Sequence, residues 1–519
     1  MTTVVGKSFN QQWRELFYGE QWHTDANTGE QVYGVPPAPP RTPLKNPFTL
    51  MRQISFQQLI FFLVGWVAWS TDAYDFFCVS LSASTLAKYW GVAASTITQS
   101  ITYTLLTRSL GAVIFGVLGD LYGRKWPLFI NLVLIAVLQL ATGFCQSLSL
   151  FYGLRALFGV TMGGVWGLSA ALALENIPKE PRGLFSGILQ QGYALGYLIA
   201  AIINLFLVPA VSVGWRSLFY FGSAFSLLVA ILVGICPESP LFREYKTAKD
   251  ADSDTPDVRA SSKAFFTELG LMLRSEYLRC IYAVLLMTFF NFMSHGSQDL
   301  FPTYLTVTKG FTSHDATVAT IIGNLGAICG GTLFGYLSQS YGRRQMIILA
   351  AFVGACLIPL WILPSSFGAL ASGAFFLQFC VQGAWGVIPI YLSELSPPAF
   401  RAAFTGVAYQ LGNMISSSAA QIEASLGEKF PIIVNGSSVP DYGKVQGILM
   451  GIIFALVIIF TLIGRAQPVV EFEKFHRAGV VDESGNLTDV ALYAGVNDPV
   501  IAEAAFLKVE AGSGSAAKA

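Results

Sequence analysis

GVLGDLYGRK, residues 116–125, returns as GYLSQSYGRR at 335–344, and this recurrence decides how the chain is built. Gly335 follows Gly116 by 219 positions, and Arg343 follows Arg124 by the same 219. The register persists without a gap: Trp166 pairs with Trp385, Glu175 with Glu394, Pro178 with Pro397, Arg182 with Arg401 and Gln191 with Gln410. So long a run at one offset marks an internal duplication. Parallel repeats of membrane helices, related by an axis along the membrane normal, are an architecture that surrounds one central site.

Of the 519 residues, 53% are hydrophobic and 12% charged, against about 25% charged in soluble domains. Such a chain is dissolved in lipid. Lys and Arg total 31, as do Asp and Glu, so no basic excess draws in nucleic acid. A bilayer core needs about 20 apolar residues per helix, and windows of that length start near positions 56, 95, 127, 149, 184, 215, 279, 316, 346, 367, 402 and 446. The expected fold is therefore an all-α integral membrane protein, with twelve transmembrane helices in two six-helix halves related by a pseudo-two-fold axis.

The halves are expected at 56–236 and 279–465, joined by a charged linker at 237–278 and flanked by tails at 1–55 and 466–519. Short loops on one side carry Arg124, Lys125, Lys179, Arg182, Arg343, Arg344 and Arg401, against Lys88, Arg216, Lys309, Lys429 and Lys444 on the other. The more basic side, with both tails, is expected in the cytoplasm. The first 55 residues show no cleavable signal peptide. A sequon at Asn435 then falls in an outer loop and one at Asn486 in the inner tail. Seven cysteines in or beside apolar runs read as free thiols packed among helices. The four histidines are dispersed, and no nucleophile, metal or phosphate-cradling motif stands out. Neither an enzyme nor a resident metal or cofactor is expected, and a monomer in lipid is.

Polar groups at bilayer depth persist only when paired, hydrated or used. Arg108 lies about 13 residues from the outer end of the second span, near mid-membrane at roughly 1.5 Å per residue. It needs an anion: a substrate carboxylate, or a permanent pair with Asp72 or Asp75 of the first span. In the seventh span Asn291, His295 and Asp299 recur at i, i+4 and i+8, with Ser294 and Gln298 beside them, so one wall of that helix is polar. His295 next to a carboxylate is a candidate proton site, whereas Asp299 alone reads equally as a solvated cap. Gln190, Tyr193, Tyr197, Gln378 and Gln382 are further cavity candidates, and Arg155 is a candidate for proton movement or for close helix packing.

The signature GxLxDxxGRK, here Gly116, Leu118, Asp120, Gly123, Arg124 and Lys125, resembles that of the major facilitator superfamily, and the likeness covers both halves. In the second copy Gln339 replaces the acid. The resemblance implies that Asp120, Arg124, Glu175, Arg182, Arg343, Glu394 and Arg401 form a gate at the cytoplasmic helix ends. The alternative is that these charges only cap helices and set orientation. Asn291, Ser294, His295, Ser297, Gln298, Asp299 and Thr303 match the Asn-x-x-Ser-His-x-Ser-Gln-Asp-x-x-x-Thr signature of the fungal Jen carboxylate transporters, within the sialate:proton symporter family. WSTDAYDFF around Asp72 and Asp75 is similar to that family's first helix.

This second resemblance implies plasma-membrane symport of a proton with a short mono- or dicarboxylate of the lactate, pyruvate, succinate or malate kind. It links Arg108, Gln410 and Asn413 to substrate binding; the polar wall of the seventh span adds Asn291 and His295, and Asp72, Asp75, His295 and Asp299 stand as proton candidates. Gln410 and Asn413 read equally as interhelical hydrogen bonds. A carrier of sugars or other neutral solutes and a carboxylate-binding sensor remain as alternatives.

Overall fold

A computed structural model of the chain describes residues 43–238 and 269–464 apart from 93, 398, 399, 428, 435 and 436, together with 9–14, 21–24, 31–34 and 267. Most of both tails and of the linker, and the sequons at Asn435 and Asn486, lie outside the described residues. Twelve spans follow in order. The first half holds α1 (Phe56–Trp90), α2 (Ala94–Tyr122), α3 (Lys125–Gly143), α4 in two pieces (Leu148–Met162 and Val165–Leu174), α5 in two pieces (Arg182–Gln190 and Gly192–Ala210) and α6 (Arg216–Ile235). The second holds α7 (Tyr277–Gln298), α8 (Ser313–Tyr341), α9 (Arg343–Ile362), α10 (Phe367–Leu395), α11 in two pieces (Arg401–Ser416 and Ala419–Gly427) and α12 (Tyr442–Ile463).

Ten of the described spans are long and apolar enough to cross a membrane by length and composition. The other two are α1, with Asp72 and Asp75 in mid-helix, and the interrupted α11. Among the described residues, strands form two antiparallel hairpins, Gln21–Thr24 with Gln31–Gly34 and Pro431–Val434 with Ser437–Pro440. They qualify the all-α expectation only outside the spans, where water can satisfy the open edges of a short ladder. All seven cysteines are free, but Cys329 and Cys356 are exposed on the bundle surface rather than packed among helices, since a lipid-facing position also accepts a small apolar thiol.

Local chemistry sets the element ends. Ser55 and Gln58 form a capping box at the start of α1, and Thr312 with Asp315 forms another at the start of α8. Pro302 has no N–H to continue α7, which ends at Gln298 and resumes through Phe301–Thr303 into a π-helical turn at Tyr304–Thr308. Both copies of the duplicated motif turn at a glycine in left-handed backbone, Gly123 at φ 98° and Gly342 at φ 97°. Any other residue there is strained, so the Gly-Arg of each copy makes the tight α2–α3 and α8–α9 turns.

The halves meet along α2 against α11 and α5 against α8. They interlock at the end holding the two motif turns, hereafter the motif end. Arg124 makes a fork to Glu175, at 3.0 and 3.3 Å, and pairs with Asp120 at 3.0 Å. Asp120 in turn accepts hydrogen bonds from the backbone N–H groups of Ala402 and Ala403, at 3.2 and 2.9 Å, and so caps the start of α11 in the opposite half. A carboxylate suits that position because the first turn of a helix has unpaired donors and a positive dipole end. Arg401 lies 3.9 Å from Glu175 across the same boundary, and Arg182 donates to the carbonyl of Ile177 at 2.8 Å.

In the second copy Arg343 pairs with Glu394 at 3.1 Å and donates to Gln339 at 2.7 Å. With an amide at 339, the α5–α8 contact lacks the carboxylate that the α2–α11 contact has. A chain segment before α1 spans the motif end. Lys45 pairs with Glu180 at 2.7 Å while its carbonyl accepts from Tyr336 of α8 at 2.7 Å, and Leu50 is buried. Hydrogen bonds from Lys45 and Gln53 hold the Glu180 carboxyl below its ordinary range. This contact is therefore present above that range and lost only as pH falls through the lowered value.

Asp120→Asn removes the charge that caps α11, a change of about 1–2 kcal/mol. The closed motif end should then loosen by roughly five- to thirty-fold. A cysteine introduced at Ala402, which is buried, should be alkylated correspondingly faster. An unchanged rate would show that the start of α11 is held by other contacts.

Candidate functional site

At mid-bundle the two halves enclose a small cavity, with about 20 Å³ open to the centre of a water-sized molecule, the room of one or two waters. The first half lines it with Phe76 of α1, Leu105 and Arg108 of α2, and Gln190 and Tyr193 of α5. The second half adds Asn291, Ser294 and His295 of α7, Gln382 and Trp385 of α10, and Tyr409 and Asn413 of α11. On the motif side of the cavity Trp166 and Tyr409 stack across the boundary, with centroids 4.5 Å apart, and Trp69 and Trp385 meet Tyr409 edge-on.

Arg108 reaches the cavity because α4 packs very closely on α2. A Cβ at Gly159 would strike Thr104, and one at Gly163 would strike the carbonyl of Arg108. The guanidinium is buried and pairs through Nη2 with Asp72 Oδ2 at 3.3 Å. It lies 6.0 Å from the Phe76 ring, while its Nε has no hydrogen-bond partner. Of the two aspartates of α1, Asp72 is the one in contact with Arg108.

Asp75, three residues on, faces a different interior. It accepts from Ser226 of α6 at 2.7 Å, within a buried group that includes Gln139 and Arg155, where Arg155 donates to Gln139 at 3.2 Å and stacks on Phe158 at 3.9 Å. The structure does not bring Asp75 to the cavity.

On α7 the spacing of four aligns His295 with Asp299, whose Oδ2 lies 2.9 Å from Nδ1. Nε2 lies 2.9 Å from Asn413 Oδ1. Asn413 donates to Gln410 Oε1 at 3.4 Å, and Gln410 donates at 3.5 Å to the carbonyl of Gly163, at the break in α4 of the other half. This chain has a direction. A backbone carbonyl only accepts, so the amide of Gln410 must donate to it, which turns the Gln410 oxygen to Asn413 and the Asn413 oxygen to His295. With a carboxylate on the other side, the imidazole faces two acceptors and is suited to carry two N–H groups.

The rest of the polar wall has other partners. Asn291 donates to Met287 O at 2.8 Å and to Tyr409 O at 3.4 Å. Gln382 donates to Ser294 at 3.4 Å, and Gln378 to Ser297 at 3.0 Å, while Gln298 donates to Gln378 at 2.9 Å. Asn291, Ser294 and His295 therefore face the cavity, whereas Ser297 and Gln298 bind α7 to α10. Thr303 lies beyond the end of α7, where its carbonyl accepts from Thr306 at 3.2 Å. Gln410 joins the site through Asn413 and does not itself line the cavity. Tyr197 and Gln378 do not line it either.

Phe76, Trp385 and Tyr409 escaped the sequence reading, which searched for charge and amides. The repeat did hold a signal, since Trp166 and Trp385 are partners at the 219 offset and both reach the centre of the bundle.

Two interlocked six-helix bundles around a buried central cavity have the architecture of a membrane transport protein. The match to known proteins agrees. Residues 59–421 match the profile of the Major Facilitator Superfamily, and the chain belongs to that family. It is a multi-pass membrane solute transporter, not an enzyme.

A carboxylic acid transporter protein homolog of Saccharomyces cerevisiae is 34% identical over 444 residues, covering 83% of this chain and 71% of that protein. The cis,cis-muconate transport protein of Acinetobacter baylyi is 24% identical, with coverage of 77% and 94%. The sialic acid transporter NanX of Escherichia coli is 27% identical, with coverage of 67% and 82%. Among solved structures, the proton:xylose symporter XylE bound to 6-bromo-6-deoxy-D-glucose superposes with a TM-score of 0.61 over 78% of this chain and 94% of that one. It is 18% identical, a likeness of fold.

The directed amide chain yields a spectroscopic expectation. In protein labelled with ¹⁵N-histidine and held in lipid at neutral pH, both ring nitrogens of His295 should carry protons, and Asn413→Leu should remove that signature. A neutral ring in the unaltered protein would show that the amides point the other way.

Proposed function

We propose that this transporter is a proton-coupled symporter of short-chain mono- or dicarboxylates, of the lactate, pyruvate, succinate or malate kind, working by alternating access in the plasma membrane. The observation that carries this reading is the buried guanidinium of Arg108 in the wall of a small cavity, opposite Asn291, His295 and Asn413. The carboxylic acid transporter homolog of Saccharomyces cerevisiae, similar over most of both chains, supports the same class of substrate. The excess of basic residues in the loops of the motif end supports a cytoplasmic position for that end and for both tails. On this reading 1–55, 237–278 and 466–519 are cytoplasmic, and the halves 56–236 and 279–465 rock as units, as a monomer in lipid.

Among the described residues Arg108 has a single carboxylate partner, Asp72. A substrate carboxylate entering the cavity competes with Asp72 for the guanidinium, because Asp72 holds it through Nη2 alone at 3.3 Å and a carboxylate placed for a two-point fork is the stronger partner. The displaced Asp72 is then an unpaired anion in the membrane interior, which is costly unless it takes up a proton. Substrate and proton thus favour each other's binding, which is the coupling a symporter needs.

His295, hydrogen-bonded to Asp299, is a second place for the proton. Asp75 serves as a third only by acting at a distance from the cavity. Unpartnered polar atoms also line the site: Trp385 Nε1 as a donor and Gln382 Oε1 as an acceptor. A hydroxyl or a protonated second carboxyl on the ligand satisfies both, while the aromatic walls exclude large polar solutes. The ion network at the motif end, Asp120, Arg124, Glu175, Arg182, Arg343, Glu394 and Arg401, is the inner gate.

Uptake of labelled lactate or succinate should be abolished by Arg108→Ala with surface expression intact; normal uptake would sink the carboxylate anchor. Asp72→Asn should bind substrate while losing most of its dependence on external pH, measured by radioligand binding across a pH series. Binding that still follows pH as in the unaltered protein would take Asp72 out of the coupling. Flux of the same acids into proteoliposomes separates a carrier from a sensor that binds without transport.

A further inference from the structure

Behind α7, away from the cavity, the bundle holds another carboxyl group that the symport reading does not use. Glu423 belongs to Ala419–Gly427, the outer piece of α11, which packs on α7 and α12. Its side chain is fully buried and makes no ion pair among the described residues. Gln446 of α12 donates to Oε2 at 3.5 Å, and Oε1 has no hydrogen-bond partner. Oε1 points at α7, where it would lie 3.1 Å from a Cβ at Gly296, one residue from His295. A side chain at 296 would press on the carboxyl, which would have to shift by a few tenths of an ångström.

The surroundings hold little that could balance a charge. From α7 the titratable groups are His295 and Asp299, already engaged with each other. From α12 they are Tyr442 and Lys444, with Asp441 as its cap, and Lys444 is exposed beside the Phe430 ring. No other titratable residue occurs in Ala419–Gly427. The oxygen of the Gln446 amide, Oε1, is also buried without a partner. Glu423 Oε1 and Gln446 Oε1 are therefore two unsatisfied acceptors on groups that already touch through their other atoms. Acceptors cannot satisfy each other, but a single proton can. A protonated Glu423 would donate from Oε1 to the Gln446 oxygen while Oε2 accepts from the Gln446 nitrogen, closing an acid–amide pair with two hydrogen bonds. An ionised Glu423 would leave an unpaired anion in the membrane interior.

We propose that Glu423 is a proton-binding site of this carrier, protonated while the outer piece of α11 is packed on α7 and α12, and ionised when that piece withdraws and water reaches it. The proton comes from and returns to bulk water, so packing of the outer piece is tied to proton uptake. Because Gly296 places the group against the back of the helix that carries His295, movement of α7 and loss of that proton are mechanically joined. The inference goes beyond the symport reading, and its first test needs no substrate.

Infrared difference spectra of the purified full chain in lipid, recorded between acid and alkaline pH, should contain a protonated-carboxyl C=O band that shifts in D₂O and is missing from Glu423→Gln. In proteoliposomes, the ratio of pH-driven accumulation to substrate counterflow should fall by about tenfold or more in that variant. A band unchanged by Glu423→Gln, or pH-driven accumulation equal to that of the unaltered protein, overturns the proposal and leaves Glu423 a permanently neutral packing group. If Glu423→Gln does not fold, Gln446→Leu should displace the band by removing its amide partner, and an undisplaced band counts against the site. Should the unaltered protein carry no carboxylate while the band behaves as expected, the substrate reading fails and the proton site stands.

Discussion

A guanidinium in the middle of a bilayer must be matched by an anion, and Arg108 is matched by Asp72 across α1 and α2. Left alone, either charge costs at least about 2.5 kcal/mol at that depth, so the pair dictates much of its surroundings. It requires α1, α2 and α4 to pack tightly enough to exclude lipid. The glycines Gly159 and Gly163 permit this by letting the α4 backbone touch Thr104 and Arg108. It also explains why polar side chains collect where the halves face each other while the outer faces of α3 and α6 expose Leu134, Val137, Leu228 and Ile231. Polar groups are tolerated where they have one another, as at the boundary between the halves and, within the first half, around Asp75.

Apart from Trp166 and Trp385, which match and both reach the centre, the duplicated framework and the site follow opposite rules. Where the two copies agree, as at Gly123 with Gly342 or Glu175 with Glu394, the structure uses the residues for turns and for the ion network at the motif end. Where they differ, the chemistry is at the centre. At the 219 offset Asp72 stands opposite Asn291, Phe76 opposite His295 and Arg108 opposite Ala327, and Phe76, Arg108, Asn291 and His295 all line the cavity. A symmetric site would put like charges on both sides of one small space. The asymmetry instead sets an ion pair in one half against amides and a histidine in the other.

The spans, their number and their pairing into halves were legible because hydrophobic length and a constant offset are one-dimensional signals. The His295 and Asp299 contact was legible too, since a spacing of four on a helix brings side chains together. Three things were not. The contact of Asp120 with the start of α11 joins residues more than 280 positions apart, and nothing local announces it. Asp75 was grouped with Asp72 by proximity in sequence, but a step of three along α1 turns it toward Ser226 and Gln139, where it serves a different network. The cavity's aromatic walls stayed hidden because Trp and Tyr are common in any membrane helix, and only tertiary packing separates those at the centre from those in lipid.

The unequal motif copies bear on how such a bundle can move at all. Opening the motif end requires separating Asp120 from the start of α11 and Arg401 from Glu175, and unstacking Trp166 from Tyr409. The aromatic pair contributes about 0.5–1.5 kcal/mol and each charge-assisted hydrogen bond about 1.5–3 kcal/mol. A carboxylate at position 339, reaching the start of α5 as Asp120 reaches α11, would add a second contact of the same strength. Two states that interconvert in a working cycle can differ by only a few kcal/mol. Gln339 supplies no carboxylate there: its oxygen accepts from Arg343. The two seams are thus tied differently, the α2–α11 seam by the Asp120 carboxylate and the α5–α8 seam by the segment around Lys45, which links Glu180 to Tyr336.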